Sequence, residues 1–117
     1  MIPRVLGAVV TDAAERFPVV TVVGPRQSGK TTLVRALFPD HLYINLESPE
    51  ERAFAAEDAR TLLREGKENI ILDEVQRVPE LLSWIQLFAD RENRPGQFVL
   101  SGSNQPLLGE AISQSLA

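Results

Sequence analysis

The feature that most constrains this chain is the passage from Pro18 to Leu33. The almost wholly β-branched, apolar run Val19-Val20-Thr21-Val22-Val23 leads directly into Gly24-Pro25-Arg26-Gln27-Ser28-Gly29-Lys30-Thr31. A strand of that composition is expected where both faces are buried, as in a parallel sheet. The octet after it satisfies G-x-x-x-x-G-K-[ST] at each fixed position, a match that accident produces in roughly one chain of this length in a few hundred. The motif also needs a strand before it and a helix after it. Both are present, since Leu33, Val34, Leu37 and Phe38 share one helical face before Pro39-Asp40 stops the pattern. Glycines let the backbone curl so that its N–H groups converge, and the positive end of the following helix adds to the field. A phosphate-binding loop is therefore expected, with Gly24, Pro25, Arg26, Gln27, Ser28, Gly29, Lys30, Thr31 and Thr32 as its candidate binding residues. Lys30 would reach the β- and γ-phosphates and Thr31 would offer its hydroxyl to Mg²⁺, which makes ATP with Mg²⁺ the expected ligand. Arg26 is open to two readings, a phosphate contact or a side chain in solvent.

The rest of the chain continues the alternation that this passage begins. Val5, Leu6, Val9, Val10 and Ala13 recur at spacings of three and four, which predicts an amphipathic helix from Pro3 to about Phe17. Leu42 to Leu46 alternates and reads as a second strand. Ser48-Pro49-Glu50-Glu51 is a helix start, with Ser48 as N-cap, Pro49 in the first position and Glu51 closing a capping box. One or two helices then run to about Glu65, and Gly66 breaks them. Asn69-Ile70-Ile71-Leu72 is a third strand ending at Asp73-Glu74. Pro79 begins a helix with Leu81, Leu82, Trp84, Ile85 and Phe88 on its apolar stripe, Arg94-Pro95-Gly96 is a turn, and Phe98-Val99-Leu100 is a fourth strand. Strands alternating with helices imply an α/β domain with a mostly parallel sheet. No internal repeat or Ser/Gly-rich linker divides residues 1–117, so one domain is expected, with its last dozen residues weakly helical.

Two polar clusters fall where strands end. Asp73 closes the third strand and is the candidate acceptor for a nucleotide-bound Mg²⁺, which keeps several waters and takes few protein carboxylates. Glu74, next along, is the candidate to orient or deprotonate an attacking water. Acidic residues after strands are commonly solvated, so it is the pairing with the glycine loop that carries this assignment. The fourth strand runs into Ser101-Gly102-Ser103-Asn104, at the carboxyl end where ligands of open α/β sheets gather. Ser103, then Asn104, could sense a γ-phosphate or hold the lytic water; the same residues also build ordinary turns, and both readings stay open.

Together these stretches resemble the additional-strand catalytic glutamate division of P-loop ATPases, and within it a prokaryotic AAA-type ATPase domain. The matching segments are Val22 to Leu33, Tyr43-Ile44-Asn45-Leu46-Glu47, Ile71 to Pro79 and Gly96 to Ser103. The resemblance implies a three-layer P-loop NTPase sandwich with strand order 1-4-3-2, ATP hydrolysis, and Glu74 in the catalytic position. It also implies a fifth strand beyond the first, followed by elements that supply arginine-finger and second-sensor groups. The chain ends at Ala117 before such elements, so an incomplete domain is expected, with the first strand at a sheet edge where self-association or a partner could pair.

Composition narrows the alternatives. There is no cysteine, which excludes disulfides, thiolate metal sites and cysteine nucleophiles. The net charge of -4 gives no overall attraction to nucleic acid or an anionic membrane. No apolar stretch approaches the roughly 20 residues of a bilayer span, and a cytoplasmic protein is expected. The lone histidine, His41, lacks metal-binding company and reads as a surface residue. Glu50-Glu51-Arg52 and Arg60 to Glu65 read as solvated helix faces. An ATPase is thus weighed against a nucleotide-binding or interaction module without turnover. A small-molecule kinase and a GTPase are disfavoured, because the chain has neither an arginine-rich lid nor an Asn-Lys-x-Asp motif.

Overall fold

A computed structural model of the chain describes residues 4–24 and 29–103. The expected loop residues Pro25, Arg26, Gln27 and Ser28, the candidate Asn104 and the weak helix near the end lie outside the described residues. Strand β1 (Val19–Val23), β2 (Leu42–Asn45), β3 (Ile70–Asp73) and β4 (Phe98–Gly102) form one parallel sheet in the order β1-β4-β3-β2. That is the α/β class and the strand order expected from the resemblance. Among the described residues β1 and β2 are the edges. Helices α1 (Arg4–Arg16) and α2 (Lys30–Leu37) cover one face; α3 (Pro49–Glu57), α4 (Ala59–Leu62) and α5 (Leu81–Glu92) cover the other.

Strand side chains alternate between the two faces, and each face has its own core. Ile70, Leu72, Phe98 and Leu100 pack with Leu62, Leu63, Leu81, Ile85 and Phe88, while Ile71, Val99, Val20 and Val22 pack with Val10, Ala14 and Val34. The central strands β3 and β4 are buried at every position, as their unbroken apolar runs require. Each fully buried Leu, Ile or Phe contributes about 1.5–3 kcal/mol over an exposed one, so Phe88 and Phe98 at the centre are principal contributors.

Several local expectations differ from the structure for identifiable reasons. Val9 is 57% exposed, whereas Val10 and Ala14, an i, i+4 pair on α1, are buried. Ser48 is the N-cap of α3 and Pro49 follows it, but no capping box forms: the Ser48 amide, which Glu51 would have to bond, donates to the Asn45 carbonyl at 3.2 Å. Asp58 divides the helical stretch in two by capping α4 through Thr61, whose amide and hydroxyl donate to its carboxylate at 3.2 and 2.6 Å. The helix expected from Pro79 starts at Leu81. His41 is half-buried, with Nε2 at 2.7 Å from the Gly96 carbonyl. Arg52 belongs to no solvated face: its Nη1 donates to the carbonyls of Leu46 and Glu47 at 3.1 and 2.8 Å.

Candidate functional site

Parallel register brings the strand ends into one row. Val22 pairs with Ser101, Ser101 with Asp73, and Asp73 with Asn45, at the carboxyl edge of the sheet. In this row β2, β3 and β4 carry the polar residues Asn45, Asp73 and Ser101, while β1 runs on into Gly24, so the chemistry collects on the α2 side of one edge. Gly24 is tied there by its amide, 3.3 Å from the Gly102 carbonyl. Gly29 is the N-cap of α2 at φ 88°, in the left-handed region that a side chain would strain, and its carbonyl accepts the first helical bond, from Leu33 at 2.9 Å. The motif's second glycine is thus required by backbone geometry.

The first turn of α2 then delivers Lys30 and Thr31 to the ends of β3 and β4. Lys30 is 5% exposed, with Nζ at 3.7 Å from Glu74 Oε2. Thr31 Oγ1 donates to Asp73 Oδ2 at 2.7 Å. Thr32, also a candidate, is exposed on the outside of that turn. Asp73 is 3% exposed and collects two further hydroxyl donors, Tyr43 on Oδ2 at 2.6 Å and Ser101 on Oδ1 at 2.7 Å. Burial opposes its ionisation, but the donors Tyr43, Thr31 and Ser101, with the Lys30 charge, outweigh burial and hold Asp73 below the usual carboxylate range. The Tyr43 phenol moves the other way, pushed up by burial and then by donation to Asp73, with the Arg35 guanidinium opposing from 4.4 Å over the ring.

Glu74 reaches the same cleft by an unusual route. Successive residues of a strand point to opposite faces, so an extended Glu74 would turn away from Asp73. Instead it adopts φ 57°, ψ 44°, a left-handed conformation that costs a non-glycine residue about 1–3 kcal/mol. The turn returns its carboxylate to Lys30 and starts the short 3-10 turn Val75–Arg77. Gln76 Nε2 donates to Glu74 Oε1 at 2.7 Å, and Ser103 Oγ lies 3.4 Å from the same oxygen. Among the described residues Gln76 Oε1 is buried without a hydrogen-bond partner, and flipping the amide would set that oxygen against the carboxylate. The nitrogen therefore faces Glu74.

Lys30, Thr31, Tyr43, Asn45, Glu47, Asp73 and Glu74 line a cleft of about 320 Å³. The expected residues Lys30, Thr31, Asp73, Glu74 and Ser103 are brought together, and Gly24 and Gly29 frame them. Sequence reasoning missed Tyr43, Ser101 and Gln76. Ser101 stands in the same polar cluster at the end of β4 as Ser103, and the structure gives each a different carboxylate. The alternation of β2 puts Tyr43 and Asn45 on one face, but only the pairing of Tyr43 with Ile71 and Asn45 with Asp73 identifies that face as the cleft's.

Comparisons with known proteins agree with this architecture. The family model described as AAA domain matches residues 16–117. An uncharacterized protein of Mycobacterium bovis and one of Mycobacterium tuberculosis are each 37% identical over 109 residues, which cover 90% of this chain. The chain matches 24% of the length of these curated relatives. Among solved structures, C. elegans PCH-2 has a similar fold, with a TM-score of 0.52 over 88% of this chain and 36% of that one at 17% identity.

Proposed function

The chain belongs to the AAA domain family, whose function is of the nucleotide-binding, ATPase type, and we propose that it binds ATP with Mg²⁺ through a Walker A and a Walker B site and hydrolyses the γ-phosphate bond. The observation that carries this reading is the junction of two sequence-distant groups: Thr31 bonded to Asp73 at 2.7 Å, beside Lys30 at 3.7 Å from Glu74. The described residues would form the core of one such domain.

The donor set suits the cofactor. Mg²⁺ favours oxygen ligands, keeps several waters and takes one or two protein groups, and Thr31 Oγ1 with the ionised Asp73 fits that demand. When bound, ATP with Mg²⁺ supplies the phosphoanhydride to be broken and partial neutralisation of its phosphate charge. Lys30 carries the balancing positive charge on the loop side, and the free backbone amides of the first turn of α2, which Gly29 caps, would face the phosphates. Glu74 is the proton acceptor: its Oε2, turned toward Lys30 by the left-handed backbone, would take a proton from water once Lys30 is drawn to phosphate. Gln76 and Ser103 hold the other oxygen.

The test measures Mg²⁺-dependent phosphate release and nucleotide binding in parallel. Glu74→Gln is expected to reduce release by about 10²–10⁴-fold while binding stays within about twofold. Equal loss of both would sink the role of Glu74, and a wild-type chain that binds no nucleotide would sink the whole reading. A second reading, binding without turnover, is favoured by the Lys30 contact that occupies Glu74; binding with release at background would select it.

A further inference from the structure

We infer that Tyr43 is a positioning residue for the divalent-cation site, acting through Asp73; the inference rests on the nucleotide reading above. Tyr43 sits on the edge strand β2, far in sequence from both the phosphate loop and the Asp-Glu pair, and belongs to neither motif. Its hydroxyl nevertheless donates at 2.6 Å to Asp73 Oδ2, the oxygen that also accepts from Thr31. Its ring lies under the Arg35 guanidinium at 4.4 Å. Thr31 and Arg35 are i, i+4 neighbours on one face of α2, so one tyrosine is gripped by the helix that the loop opens and grips the carboxylate facing that loop.

The count of acceptor positions gives this contact its consequence. An ionised carboxylate offers about four lone-pair sites. Hydroxyls from three separate elements fill three of them: Thr31 of α2 and Tyr43 of β2 on Oδ2, and Ser101 of β4 on Oδ1. The carboxylate cannot rotate without breaking at least one bond, and about one site is left for a cation or its water. Thr31 can present a lone pair to a cation only while its proton has an acceptor held in place, and Tyr43 holds that acceptor through a second bond to the same oxygen. Groups that orient a metal's direct partners commonly change its affinity by about 10- to 100-fold when lost.

Tyr43→Phe removes the hydroxyl and keeps the ring under Arg35. Binding of a fluorescent ATP analogue would be followed in EDTA and across a Mg²⁺ titration. The expected result is a Mg²⁺ midpoint raised about 10-fold or more, with affinity in EDTA unchanged and phosphate release recovering in excess Mg²⁺. A midpoint equal to wild type overturns the inference, and so does an equal loss of affinity with and without Mg²⁺, which a merely structural role would give. Tyr43 is also the chain's single tyrosine, so its ring resonances report on the wild-type protein even if the variant does not fold. They are expected to shift when Mg²⁺ is added to the protein with ATP, beyond the shift with ATP in EDTA. No added shift overturns the inference. Wild-type protein without any nucleotide binding would overturn the parent reading as well, whereas Mg²⁺-dependent binding that ignores the Tyr43 hydroxyl overturns only this one.

Discussion

The two ends of the sheet are both polar and largely buried, but they are built from opposite materials. At the amino end the hydrogen-bond acceptors that join the segments are neutral, backbone carbonyls and the Asn69 side-chain amide. Gln97, fully buried, donates Nε2 to the Gly66 carbonyl at 3.0 Å, Arg94 reaches the same carbonyl at 3.3 Å and Asn69 Oδ1 at 2.7 Å, and Arg91 takes the Glu65 carbonyl at 2.6 Å. His41 and the amides of Gly96, Phe98 and Leu42 complete the stitching between neighbouring segments. At the carboxyl end the acceptors are two adjacent carboxylates, Asp73 and Glu74, held by side-chain donors in a cleft. One end spends its hydrogen bonds closing the chain on itself; the other keeps charge where a ligand can enter. Substitutions at the first should therefore change stability at every pH, and those at the second should change chemistry and acid sensitivity.

Gly66→Ala should have the largest effect on stability. Gly66 stands at φ +79°, and an added Cβ would lie 2.8 Å from Phe88 Cβ, a main-chain-anchored atom that cannot move aside cheaply. Left-handed strain of about 1–2 kcal/mol and overpacking of about 1–3 kcal/mol give an expected loss of about 2–5 kcal/mol, read as a lower denaturant midpoint. Nucleotide affinity of the remaining folded protein should be unchanged; a parallel fall in affinity would show the two ends to be coupled. Arg94→Met, which keeps the stem and removes the donors to Gly66 and Asn69 together with the charge 3.9 Å from Glu92, should cost about 1 kcal/mol, constant between about pH 6 and 8.

Asp73→Asn sharpens the contrast by its pH dependence rather than by its size. The folded-state pKa of Asp73 is depressed, so its contribution to stability is complete above the ordinary carboxylate value of about 3.9 and is lost as pH falls through the lower folded value. The stability gap between wild type and Asp73→Asn should be constant near neutrality and close on acidification below about pH 4. A gap that persists to the acid limit would mean that shape rather than charge makes Asp73 matter, and the two ends would then differ less than their composition suggests.

Much of this fold is legible in the chain because its signals are local. The β-branched run Val19–Val23, the helical spacing from Leu33 to Phe38 and the break at Gly66 all report on residues within a few positions of one another. The capping box expected at Ser48 does not form because the competing acceptor, the Asn45 carbonyl, belongs to a turn that the pattern does not reveal. His41 reads as a surface residue because nothing nearby in sequence shows the Gly96 carbonyl it meets.

What the sequence determined alone was the passage from β1 through a glycine-bearing stretch into α2, and the Asp73-Glu74 pair at the end of an apolar strand, because both are contiguous and their signals lie in residue type and spacing. What only the tertiary structure decided was the company these residues keep. Tyr43, Ser101 and Ser103 reach the two carboxylates across strand pairings 28 to 30 residues apart in the chain, and a one-residue change of register would turn Tyr43 to the opposite face. Glu74 faces Lys30 only because its backbone is held left-handed, a conformation that glutamate does not choose for itself.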